Sequence, residues 1–120
     1  MLPAGSRLHT SDEFAAVVRY GRRAGTRHLV VHLLGTGRTS SPRAGFVVSA
    51  KVGNAVVRHR VTRRLRPLVR QELAGLPAGT DVVIRALPAA ASASSADLGR
   101  DLTSGLVAAE RKRVAVGTRP

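Results

Sequence analysis

The 120-residue chain has no cysteine, no tryptophan and only three aromatic residues, Phe14, Tyr20 and Phe46. Without cysteine there is neither a disulfide framework nor thiolate chemistry, which suits a reducing cytoplasm. So few aromatics do not supply the row of stacking platforms on which non-specific single-strand binders lay bases. No segment approaches the ~20 apolar residues of a membrane span, and Met1 to Thr10 contains no apolar run of signal-peptide length. Acidic residues are the most telling shortage: the chain has 7, and none lies between Glu13 and Glu72.

That acid-free stretch, Phe14 to Gln71, is 58 residues long and holds 13 of the 20 Lys+Arg. The other 62 residues carry 7 basic and 7 acidic groups, so the net charge of +13 resides in one central block. Such an excess points to a polyanionic partner, either nucleic acid or an anionic membrane surface. With 43% hydrophobic residues the chain is too apolar for a disordered basic tail, and its length fits one domain with a modest core.

Thr10-Ser-Asp-Glu13 has the spacing of a capping box, and Phe14, Val17 and Val18 follow at helical spacing. A first helix is expected over Ser11 to Tyr20, then a loop bearing Arg22, Arg23 and Arg27. His28 to Leu34 and Gly45 to Lys51 read as strands joined in a hairpin by a long polar loop. Asn54 to Leu73 is the longest helical pattern, with Val57, Val61, Leu65 and Leu68 as its apolar stripe. His59, Arg63, Arg66 and Arg70 lie opposite, Arg60 beside them and Arg58 and Arg64 on the flanks. Pro67 predicts a kink or break there. Asp81 to Leu87 is a third strand, and a last helix runs from Ser95 to Arg113 with Leu98, Leu102, Leu106 and Ala109 inward. The expected order is α-β-β-α-β-α, an α+β sandwich in one domain, with 114–120 a frayed tail.

Autonomous catalysis finds little support. Asp12, Glu13, Asp97 and Asp101 have helix-start explanations, which leaves Glu72, Asp81 and Glu110 for acid–base or two-metal chemistry. His9, His28, His32 and His59 lack metal-ligand spacing; His28 and His32 stand about 13 Å apart along a strand. No nucleophile motif or phosphate-cradling glycine loop is present.

The basic helix carries the functional weight. Lys51 to Arg70 holds seven basic residues in 20 positions and no acid. Like charges at i, i+4 repel unless something negative joins them, whereas a solvated helix face mixes signs. Phosphate suits this face, because arginine offers it a planar fork. Phe14 and Phe46, each taken alone, read as ordinary core, and His32 as a half-buried strand histidine.

The run Lys51-Val-Gly-Asn-Ala-Val-Val-Arg-His-Arg-Val-Thr-Arg-Arg-Leu-Arg66, entered from Gly45-Phe-Val-Val-Ser49, resembles the protein subunit of bacterial ribonuclease P. The similarity extends to Arg7-Leu8, Asp12-Glu13-Phe14, Val17 and Gly21, and to the third strand before the last helix. The resemblance implies an α+β fold with a left-handed βαβ crossover, against the usual handedness. It implies an enzyme in which a catalytic RNA with bound Mg²⁺ removes the 5′ leader from precursor tRNA, while the protein itself holds no metal and makes no cut. The implied RNA-binding residues are Lys51, Asn54, Arg58, His59, Arg60, Arg63, Arg64, Arg66 and Arg70. The implied leader cleft is Phe14, Val18, His32, Phe46, Val48 and Ser49. The partners implied are the catalytic RNA and precursor tRNA, in the cytoplasm, with no membrane and no second protein. This chain departs from the family pattern with His59 for Asn, Thr62 for Lys, and Val18 and His32 where aromatics are common. Its cleft is therefore expected to stack bases less and to rely more on charge and shape. A structural RNA-binding protein, such as a ribosomal one, is the rival reading, and a self-sufficient metal nuclease a weaker one.

Overall fold

The computed structural model describes residue 2 and residues 4–117. Helix α1 spans Ser11–Tyr20, as the capping box predicts. The Thr10 hydroxyl accepts the Glu13 N–H at 3.1 Å, and Glu13 Oε1 accepts the N–H groups of Thr10 and His9 at 2.9 and 2.7 Å. Four strands follow the order β1-β2-β4-β3 in one sheet: β1 (Arg22–Gly25), β2 (Leu29–Gly35), β3 (Arg43–Val47) and β4 (Thr80–Ala86). Helix α2 (Ala55–Leu73) links β3 to β4, and α3 (Ser95–Gly117) follows a 3₁₀ turn at Pro88–Ser92. The mixed α+β class is as expected, but the order is α-β-β-β-α-β-α.

Two expectations are corrected. The stretch after α1 is a strand, and the hairpin joins β1 to β2, with Arg23 opposite His32 and Gly25 opposite Val30. The Thr26 hydroxyl closes that turn, accepting the Leu29 N–H at 3.1 Å and donating to the Leu29 carbonyl at 2.9 Å. The expected hairpin between β2 and β3 does not form, because β4 lies between them. It is antiparallel to β2 and parallel to β3. Burial explains the insertion: Val82, Val83 and Ile84 are at most 1% exposed, a run that needs cover on both faces and a neighbour on each side. Strand β3, with Arg43 and Gly45, suits an edge. It begins two residues before the expected Gly45 and ends at Val47, ahead of the turn at Ala50–Val52.

The sheet divides the core in two. On one face Leu29, Val31, Leu33, Val82 and Ile84 meet Val61, Leu65, Val69 and Leu73 of α2 and Leu98, Leu102, Leu106 and Ala109 of α3. The buried stripe of α2 thus runs one turn further than expected, while Val57 and Leu68 pack at its margin. On the other face Val17 and Phe14 of α1, with Leu8 ahead of it, cover Val83, Leu34 and Val47. Helix α2 passes unbroken through Pro67, which is exposed, so water can satisfy the carbonyl left free one turn earlier. The expected fray starts at Val114, which α3 includes as it continues to Gly117; 118–120 lie outside the described residues.

Candidate nucleic-acid interface

Helix α2 leaves β3 through a tight turn. Asn54 is its N-cap, with Oδ1 accepting the Val57 N–H at 3.0 Å. A side chain at Gly53 would press on Val57, its Cβ 2.8 Å from the valine Cβ, so the turn admits little but glycine. With Val61, Leu65 and Val69 buried, His59, Arg63 and Arg70 are exposed and Arg58, Arg60, Arg64 and Arg66 half-buried.

The arginines divide by partner. Arg60 Nη2 donates to the Ala91 carbonyl at 3.0 Å and Arg64 Nη1 to the Ala93 carbonyl at 2.8 Å. These two strap α2 to the 3₁₀ turn after β4. Arg58 and Arg66 turn the other way and, with His59 and Thr62, form one wall of a groove of about 500 Å³. Its opposite wall is Phe14, Arg7 and Leu8, with Phe46 and Val48 between. A second recess on the other flank of the helix takes in His59, Arg60 and Arg63.

The groove wraps the outer edge of β3, where Arg7 bridges Ala44 and the Leu8 N–H donates to the Ala44 carbonyl at 3.0 Å. Gly45 faces α1, where an added Cβ would overlap the Phe14 ring, while Phe46 faces the α2 core. Phe14, Phe46 and Val48 therefore meet Arg58 and Arg66 in one groove. His32 and Val18 do not line it: His32 is 3% exposed on the α1 face of the sheet, whereas Val18 is 46% exposed on α1. Ser49 and Lys51 are exposed in the segment before α2.

An ion network fixes the α1 wall. Arg43 Nη1 donates to Glu13 Oε2 at 2.7 Å, and its Nε and Nη2 donate to Asp81 at 3.1 and 2.9 Å. Arg38 donates to the same carboxylate at 3.0 and 2.8 Å. The N–H groups of His9 and Thr10, with Arg43, hold the Glu13 carboxyl down at about 2. Burial pushes the Asp81 carboxyl up, but the hydrogen bonds from Arg43 and Arg38 outweigh it and hold it below its usual range. At His32, burial followed by the charges of Arg85 and Arg23 lowers the imidazole pKa.

Sequence reading missed Arg7, Arg43 and Arg85. Arg43 stands in the sequence only as one of the 13 basic residues of the central block; the β3 that begins at Arg43 rather than Gly45 turns it toward α1. Arg85 lies outside the basic block, but strand alternation from Asp81 through Val83 assigns it to the α1 face.

The Ribonuclease P family profile matches residues 2–110. The Ribonuclease P protein component of Salinispora tropica is 50% identical over 131 aligned positions, covering 94% of this chain and 96% of that protein. That of Streptomyces griseus is 55% identical, covering 88% of this chain and 93% of its own. In fold, the chain is similar to the RNase P protein of Staphylococcus aureus, with a TM-score of 0.78 at 24% identity over 87% of this chain and 94% of that one. With half of its residues shared over nearly its whole length with such relatives, the chain belongs to the ribonuclease P protein component family.

Proposed function

We propose that the chain works as a single RNA-binding domain, the protein subunit with which a catalytic RNA removes the 5′ leader from precursor tRNA. The observation that carries this reading is the acid-free face of α2, which presents His59, Arg63 and Arg70 to solvent and Arg58 and Arg66 to a groove walled by Phe14 and Phe46. Phosphates relieve the repulsion along that face, and arginine forks hold them bidentately. Arg58, Arg63, Arg66 and Arg70 neutralise RNA phosphates, with Lys51 and Asn54 at the head of the helix; Arg60 and Arg64 add charge from their strapped positions. An unpaired leader, whose bases can splay, suits a cleft with few but well-placed rings around Phe14 and the α1 face of the sheet.

In this reading Mg²⁺ belongs to the RNA. Six of the seven carboxylates are engaged within the chain: Glu13 and Asp81 face arginines, Asp97 pairs with Arg100, Glu110 with Arg113, Asp101 with His28, and Glu72 accepts the Thr103 hydroxyl. Among the described residues no group of three or more His, Asp and Glu could hold a metal ion. The reading puts the chain in the cytoplasm with precursor tRNA and needs neither a membrane nor a second protein. No helix among the described residues is long and apolar enough to cross a membrane.

Cleavage of precursor tRNA tests this with the protein alone, the catalytic RNA alone at low Mg²⁺, and both together. Cleavage is expected only to rise when protein is added to the RNA. Activity of the protein alone would overturn the reading, and no gain on adding protein would favour a structural RNA-binding role.

A further inference from the structure

The α1 face of the sheet carries a cluster that the groove does not use. Period-two alternation assigns Arg23, His32, Val83 and Arg85 to one face, and the ladder makes them neighbours. Arg23 and Val83 stand opposite His32, and Arg85 stands opposite Val30, two residues before it. His32 is 3% exposed, yet among the described residues neither of its ring nitrogens has a hydrogen-bond partner. The Nε of Arg85 is buried and unpartnered as well, and neither Arg23 nor Arg85 takes part in an ion pair among the described residues. The acid on β4, Asp81, lies four residues before Arg85, and both its oxygens are taken by Arg38 and Arg43. Two cations therefore flank a buried imidazole with no anion to answer them, and buried polar groups left unpaired cost free energy.

We propose that Arg23 and Arg85 form a phosphate seat on the α1 face of the sheet, with the His32 ring as its floor, that takes one backbone phosphate of the single-stranded leader. The proposal rests on the leader-binding reading and deepens it. In a cleft where Val18 and His32 stand in place of aromatics, it makes a fixed charge, rather than stacking, the local hold on the strand. Arg85 is thus a positioning residue for substrate, on β4, the strand next to the β3 edge that the groove follows.

The test uses holoenzyme reconstituted with the catalytic RNA and precursor tRNAs whose leaders are lengthened one nucleotide at a time. Arg85→Gln and Arg23→Gln are each expected to weaken precursor binding about tenfold, the worth of one charge-assisted hydrogen bond, once the leader is long enough to reach the seat. Mature tRNA and assembly with the catalytic RNA should be unaffected. Arg85→Lys, which keeps the charge, should retain most of the affinity and shows whether a loss in Arg85→Gln is one of folding. A single methylphosphonate linkage at the critical leader position should weaken wild type and leave Arg85→Gln unchanged. Undiminished dependence on leader length in both Gln variants would overturn the seat while leaving the leader reading intact. Absence of that dependence in wild type would overturn the leader reading itself.

Discussion

Arg43 Nη1 lies 2.7 Å from Glu13 Oε2, so an edge strand of the sheet grips the first turn of α1. The same guanidinium holds Asp81 of β4 at 2.9 Å, and three elements meet on one side chain. Phe14, the residue after Glu13, packs over Gly45 of the same edge strand.

The hydrogen bonds to Glu13, first from the backbone N–H groups of His9 and Thr10 and then from Arg43, have a pH signature. The Glu13 carboxyl falls from 4.5 to about 2 in the folded chain, so its stabilisation is fully present above pH 4.5 and is lost as pH falls towards 2. Glu13→Gln keeps an acceptor for the cap but loses the charge. Thermal melts across that range should show wild type more stable at neutral pH, with the gap closing as pH drops through the window. A constant gap would mean that the carboxylate charge contributes nothing to the difference.

Close approach at Gly45 gives a second prediction. A methyl group there meets the Phe14 ring, and overpacking costs about 1–3 kcal/mol. Gly45→Ala should lose about that much in denaturant unfolding, and less in a Phe14→Leu background, where the ring is gone. Equal losses in both backgrounds would dissociate Gly45 from Phe14.

Much of this architecture is legible in residues that answer only to local physics. The Thr10–Glu13 box, the Leu98-Leu102-Leu106-Ala109 stripe and the start of α2 at Asn54 each follow from capping or period, and each is found. Strand order is different, because it depends on which strand can bear burial on both faces. Asp81 to Ala86 shows this in its apolar run, yet proximity in the chain argues for pairing β2 with β3. The site divides in the same way. Spacing finds the basic face of α2, but only tertiary contact reveals that Arg60 and Arg64 are spoken for by Ala91 and Ala93, or that Arg85 stands beside His32.

That division of the arginines can be measured. Arg63 is exposed and free to meet phosphate, so Arg63→Ala should leave thermal stability nearly unchanged and lower the salt slope of RNA binding by about 0.7–0.9. Arg64→Ala removes the bond to the Ala93 carbonyl and should cost about 1–2 kcal/mol of stability, with a smaller change in slope. Equal slopes for the two variants would mean that Arg64 meets RNA as fully as Arg63 does.

His32 yields the last prediction, and its sign follows from burial. The folded chain resists protonating this ring, whereas the unfolded chain takes up a proton near 6.5. The neutral ring is therefore compatible with full stability above pH 6.5, and stability is lost as pH falls below it. His32→Phe keeps a ring on the sheet and removes the titration, so melting curves of the two proteins should diverge below pH 6.5, with wild type falling faster. If both fall in parallel, the folded and unfolded chains protonate His32 alike and the ring is not held away from water. Divergence would establish a neutral, dry imidazole between Arg23 and Arg85, the state in which it can floor an anion seat without adding a third positive charge.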